Sequence, residues 1–213
     1  ASRGLGDVYK RQMDYEMLKY FTEFWCSDDT DPYERIYIQW GLSKFFPAKT
    51  MSSHVTNWNR NTSVKFRTDV CSSCKLGFDI DLKSLSAEEY QFVKQAVSNY
   101  DLMKPVIFDG DLYRLVSPYE GNHCAINYVS KDQQRAVLFA FDLHPRYMEP
   151  LTNVRLQGLD PDRVYTVRET NLMPGKKSEL TCDGKQYSGD YLMKVGLSVF
   201  TPRTGNSHVL ILE

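Results

Sequence analysis

No apolar run in the 213 residues is long enough to span a membrane, and no signal peptide is visible. Charge of one sign is missing too. Lys and Arg number 26 against 27 Asp and Glu, a net charge of −1, and the cations are spread along the chain. No basic stripe therefore argues for nucleic acid. There is no internal repeat and no low-complexity tract. Cysteine is sparse and odd in number, with five residues at Cys26, Cys71, Cys74, Cys124 and Cys182. Cys71-Ser72-Ser73-Cys74 is a lone CxxC; a zinc site would need a second pair or a close pair of histidines, and the sequence supplies neither. A redox role would need that motif at a helix start in a thioredoxin-like context. Unpaired thiols fit a reducing compartment without establishing one, so the localisation stays open between cytoplasm and periplasm.

What is present is globular in character. Hydrophobic residues make up 42% of the chain and aromatics 13%, with 14 Tyr and 3 Trp. That wealth of aromatics suits sugar contact, although such side chains fill cores more often than they line subsites. The length allows one large core or two modest ones. Residues Ala1 to Gln12 are basic, glycine-bearing and without apolar periodicity, as a foreign or disordered leader would be. They resemble translated adapter sequence, which predicts a truncated reading frame whose fold begins near Met13. The alternative is a natural flexible leader.

Three carboxylates, Asp28, Asp29 and Asp31, then crowd the short loop within the stretch Phe24-Trp25-Cys26-Ser27-Asp28-Asp29-Thr30-Asp31-Pro32-Tyr33-Glu34-Arg35. Asp31 reads as a helix N-cap, Pro32 as the first helical residue and Glu34 as the return partner of a capping box. The helix leaves Asp28 and Asp29 unexplained, at the tip of a strand-to-helix turn. Before it, Leu18 to Ser27 is an aromatic run suited to a buried strand. The helix places Ile36, Trp40 and Ser43 on one side and must stop before Pro47. Met51 to Thr56 predicts a strand, Asn57 to Asn61 a polar loop, and Gly77 to Leu82 a further strand that carries Asp79 and Asp81 on one face. Phe66 to Cys74 fits either a helical turn or an irregular link. Ser86 to Glu89 opens a second helix through Phe92, Val93, Ala96, Val97 and Tyr100. This is the grammar of a parallel α/β unit.

The grammar changes after Pro105. Val106–Val116, Ala125–Val129, Ala136–Leu143, Val154–Leu159, Val164–Arg168, Leu192–Phe200 and Val209–Leu212 are short, β-rich and set apart by turn residues. About seven strands at this spacing predict an antiparallel β-sandwich.

The run from Phe24 to Gly41 resembles the W-x-S-D-[ND]-T-D…ER…IQ-[YW]-G signature of the α-galactosidases of glycoside hydrolase family 36. The likeness continues through Met51-Ser52-Ser53-His54-Val55, Leu76 to Leu82, Leu85 to Glu89, Asp111 to Leu115 and Ser188 to Leu197, so it covers essentially everything after Met13. The resemblance implies α/β plus all-β architecture: the C-terminal part of a (β/α)8 TIM barrel over 13–104, followed by an antiparallel β-sandwich over 105–213. It implies retaining hydrolysis of terminal α-linked galactose on oligosaccharides, with Asp28 at the family's acid/base position. To work near neutral pH, Asp28 would need burial beside Trp25, or a neighbouring negative charge, to hold its proton. Asp29 falls at a position that is also Asn in the family, which makes it dispensable. Trp25 either walls the sugar site or merely packs. His54 either contacts substrate or is a hydrogen-bonded structural histidine, and Asp79 and Asp81 are divided in the same way.

The family's nucleophile lies in a K-W-D motif upstream of a Cys- and Gly-rich strand, and neither occurs in these residues. The 213 residues by themselves are thus expected to be inactive. No cofactor and no metal is implied; a calcium loop built on Asp28, Asp29 and Asp31 would lack the glycine and spaced glutamate of an EF-hand. The implied partner is an α-galactoside oligosaccharide, with no nucleic acid and no membrane, and the full-length family enzymes tend to form homo-oligomers. Other readings are a related glycosyl hydrolase or galactosyltransferase, or a non-catalytic carbohydrate-binding β-sandwich. The sandwich is expected to fold alone, and 13–104 to depend on partners.

Overall fold

The structure, a computed structural model, describes residues 15–58 and 61–213. The leader expected at 1–12, the start of the fold at Met13, and Asn59 and Arg60 of the polar loop lie outside the described residues.

The first half is three successive strand–helix units. Strand β1 (Phe24–Trp25) leads to helix α1 (Pro32–Leu42), β2 (Met51–Thr56) to α2 (Val64–Ser72), and β3 (Lys75–Asp79) to α3 (Ala87–Asp109). The strands form a parallel sheet in the order β1-β2-β3, with Trp25 opposite Ser52 and His54 opposite Gly77. Parallel strands joined by helices are what a barrel segment requires. The local chemistry explains each start. Ser63 caps α2 by accepting from Phe66 N–H, which settles the ambiguous segment as helix. Ser86 and Glu89 form a reciprocal capping box at α3.

Several expectations shift here. The strand predicted over Leu18 to Ser27 shrinks to Phe24–Trp25, because 17–19 is a single 3-10 turn and Tyr20 is exposed. Asp81 is not on β3 but caps the 3-10 turn that follows, so it does not share a strand face with Asp79. Helix α3, expected from Ser86 onward, runs to Asp109 and takes in Pro105, where a strand was expected from Val106. Proline costs a helix one hydrogen bond, and here both Pro105 and Asp101, whose carbonyl is left over, face solvent.

The second half is a six-stranded antiparallel sheet in the order β4-β5-β6-β9-β7-β8. These are β4 (Asp111–Val116), β5 (His123–Val129), β6 (Ala136–Asp142), β7 (Val164–Thr170), β8 (Gln186–Ser188) and β9 (Asn206–Leu212). Its arrangement is sandwich-like, with a second layer of largely irregular chain. Val154–Leu159 is not a strand but meets the sheet's cover through one bridge, Val154 to Leu197. Leu192–Phe200 begins instead in a short helix, α4 (Gly189–Lys194), capped by Ser188. Gly196 then turns left-handed (φ +79°), and any Cβ there would lie 2.3 Å from the Val154 carbonyl oxygen, which breaks a continuous strand.

Strand β6 shows how the layers are joined. Val137, Phe139 and Phe141 point to a core shared with Phe66, Val70, Tyr100 and Met103 of α2 and α3. Ala136, Leu138 and Ala140 point the other way, to Val154, Leu156, Leu192 and Val199. Alternation on a strand buried from both sides produces this division. Each large side chain so buried contributes roughly 1.5–3 kcal/mol.

Candidate active site

The C-terminal ends of β1, β2 and β3 lie side by side, and the acidic loop follows β1. Its backbone is held by a ladder of side-chain bonds at every second residue. Ser27 Oγ accepts from Asp29 N–H at 3.0 Å, and Asp29 Oδ1 accepts from Asp31 N–H at 2.9 Å. Asp31 Oδ1 accepts from Tyr33 N–H at 2.9 Å and from Glu34 N–H at 3.2 Å. The N-cap is thus Asp31, as its position predicts, but the return bond expected from Glu34 is made by Asp29. Asn offers the same acceptor as Asp, so a family position that takes either fits this role. Thr30 turns inward, where its Oγ1 accepts from Thr56 Oγ1 at 3.0 Å. Asp28, like Asp29, turns outward. It is exposed, and among the described residues nothing bonds to its carboxylate. The burial beside Trp25 expected for it is not seen.

A buried arginine braces this loop. Arg35 of α1 is only 1% exposed. Its Nε donates to the Asp29 carbonyl at 2.7 Å and its Nη2 to the Ser27 carbonyl at 2.8 Å, one on each side of Asp28. Nη1 donates to Ser53 Oγ at 2.8 Å, and Nη2 also meets His54 Nδ1 at 3.2 Å. Ser53 in turn donates to Gln39 Oε1, while Gln39 Nε2 donates to the Val70 carbonyl and Ser73 Oγ. One polar chain therefore runs from α2 through β2 and α1 to the acidic loop.

His54 sits 5% exposed at the middle strand, its ring 3.8 Å from that of Trp25 at an interplanar angle of 32°. Arginine has donors only, so His54 Nδ1 must accept and the ring proton must reside on Nε2. Burial first, and then the Arg35 charge, lower the His54 pKa from 6.5 to about 4, against the upward pull of Asp79 and Asp28. His54 is therefore a neutral N–H donor that feels both carboxylates. Asp79 itself is exposed at the end of β3. The structure thus gathers Trp25, Asp28, His54 and Asp79, and sends Asp81 away to a cap.

The cysteines stand apart from this chemistry. All five are free and buried. Burial raises the Cys71 and Cys74 thiols, and raises Cys26 to about 12. Thiols held protonated are poor ligands and poor nucleophiles. Among the described residues no group of three or more His, Cys, Asp or Glu could hold a metal ion, and no helix is long and apolar enough to cross a membrane.

Comparison with known proteins matches both halves. A family model described as Melibiase matches residues 10–110, and one described as the glycosyl hydrolase family 36 C-terminal domain matches residues 123–212. The chain belongs to glycoside hydrolase family 36. A probable α-galactosidase G of Aspergillus terreus is 34% identical over 209 residues, which is 95% of this chain and 27% of that protein. The crystal structure of the family 36 α-galactosidase AgaB from Geobacillus stearothermophilus superposes with a TM-score of 0.80 at 33% identity, over 92% of this chain and 26% of that one. A variant of AgaA from the same organism, in complex with raffinose, gives 0.81 at 30% with the same coverage. The chain spans about a quarter of the length of the curated relatives it matches.

Within this family 36 segment, Arg35, Gln39 and Ser53 are the residues that sequence reasoning missed. A signal for two of them existed. Arg35 and Gln39 stand four apart, in step with Ile36 and Trp40, so both lie on the buried stripe of α1. Polar residues on such a stripe need buried partners.

Proposed function

We propose that this chain is the part of an α-galactosidase that supplies the acid/base carboxylate, Asp28, to retaining hydrolysis of terminal α-linked galactose on oligosaccharides. The observation that carries the reading is Asp28 itself. It is an outward carboxylate with no structural bond among the described residues, on a braced loop at the C-terminal ends of parallel strands, which is where barrel enzymes place catalytic groups. The relative in complex with raffinose supports an oligosaccharide as substrate. A binding-only sandwich would have no need of such a strand–carboxylate–helix unit.

In the first step a carboxylate from outside these residues attacks the anomeric carbon. As the glycosidic C–O bond breaks, the proton of Asp28 passes to the departing oxygen. In the second step the ionised Asp28 takes a proton from water, whose oxygen displaces the nucleophile and restores the starting configuration. Trp25, packed at a tilt against His54, forms a wall against which the apolar face of a sugar packs. His54 Nε2–H offers a hydroxyl a neutral donor.

In the full-length enzyme that carries this segment, Asp28→Ala should still react with a galactoside bearing a good leaving group, while deglycosylation slows about 10²–10⁴-fold. Added azide should restore turnover and yield a galactosyl azide of retained configuration. An azide of inverted configuration, or wild-type rates on an unactivated galactoside, would overturn the assignment.

A further inference from the structure

The loop that bears Asp28 makes no use of Asp28 to hold its own shape. Its position depends instead on Arg35. Four of the guanidinium's N–H donors are spent, two of them on the carbonyls of Ser27 and Asp29. The Asp28 Cα lies between those two carbonyl groups, so both ends of its short segment are tied to one rigid planar fork. The fork is fixed on its far side by Ser53 and His54, which stand on the central strand of the parallel sheet. A buried cation is costly to desolvate, and among the described residues this one is satisfied by neutral acceptors rather than by a carboxylate. A helix–strand contact could be made far more simply by apolar side chains. What the arginine adds is a defined place for the residue between its two carbonyl acceptors.

We infer that Arg35 is a positioning residue for proton transfer, holding Asp28 at the distance and angle that the departing glycosidic oxygen requires. The inference rests on the assignment of Asp28 as acid/base. Its effect should therefore scale with how much proton donation a substrate needs. A poorly placed acid slows a substrate with a strongly basic leaving group and hardly affects one whose leaving group departs unaided.

The test compares Arg35→Met, Arg35→Lys and Ser53→Ala with Asp28→Ala in the full-length enzyme, on an unactivated alkyl galactoside and on a dinitrophenyl galactoside. For Arg35→Met, kcat/KM on the alkyl substrate should fall about 100-fold or more, with a change below about threefold on the dinitrophenyl substrate. Arg35→Lys, which can serve one carbonyl but not both, should fall in between. Ser53→Ala removes one of the fork's two outer anchors, together with the bond to Gln39, and leaves both loop carbonyls paired with Arg35, so it should shift the ratio of the two rates in the same direction by a smaller factor. Equal losses on both substrates in Arg35→Met and Arg35→Lys, with Asp28→Ala still showing discrimination and azide rescue, would overturn the positioning role and leave Asp28 standing. Absence of discrimination in Asp28→Ala would overturn both. If Arg35→Met fails to fold, the other two variants decide: a shifted ratio supports the role and an unshifted one overturns it.

Discussion

At the scale of single residues, the acidic loop separates duties that look alike in composition. Asp29 and Asp31 each bond a backbone N–H two residues on, Arg35 holds the carbonyls, and Asp28 is left without structural work. His54 gives this site a measurable signature. Its pKa falls from 6.5 to about 4 on folding, so below pH 6.5 the unfolded chain binds a proton that the native one refuses. Stability is therefore fully present above pH 6.5 and is lost as the pH falls toward 4. A shift of this size corresponds to about 2–3 kcal/mol at the acid end of the window. Urea unfolding of wild type and His54→Gln at pH 7 and pH 4 measures it: the wild type should lose more, and equal losses would reject the buried neutral histidine.

Among elements, the contact between α2 and the antiparallel sheet turns on Asp69. This fully buried carboxylate pairs with Lys65 at 2.5 Å, accepts from Ser207 Oγ of β9 at 2.7 Å and accepts from Asn171 Nδ2 at 2.8 Å. Asp69→Ala leaves the Lys65 ammonium without its carboxylate and takes the acceptor from Asn171 Nδ2 and Ser207 Oγ, and should destabilise the chain by about 3–5 kcal/mol, read as a lower urea midpoint. The helices capped by Asp31 and Ser86, the strand Met51–Thr56 and most antiparallel strands could be read from residue order, because caps, alternation and turn residues act locally. The helical nature of 64–72 and the continuation of α3 through Pro105 could not. The first depends on a single serine cap and on burial of residues such as Arg67, Thr68 and Asp69, and the second on which side of the helix meets solvent. At the site, Asp28 and Trp25 were singled out by motif. The partners of Arg35 were not, since Ser53 and His54 lie 18 and 19 residues away and meet it only once β2 is beside α1.

For the whole molecule, the two halves share one core. Cys124, Tyr128, Val137, Phe139, Phe141 and Val209 of the antiparallel sheet pack with Trp40, Phe66, Val70, Tyr100 and Met103. Tyr128 donates to the Ser73 carbonyl at 2.7 Å across the same contact. The sheet half was expected to fold alone. With its other face already covered by the irregular layer, the face turned to the helices would become a broad apolar surface if they were removed. Residues 111–213 expressed alone should aggregate more or bind more of a hydrophobic dye than the 213-residue chain does; a soluble, monomeric and cooperatively melting 111–213 would refute this.

The ladder at Ser27, Asp29 and Asp31 has a consequence for how such a site can diverge. Because the frame of the loop is written in alternate residues, position 28 can accept a different side chain without unravelling the turn that displays it. New chemistry can be tried at that one position while the scaffold keeps its shape.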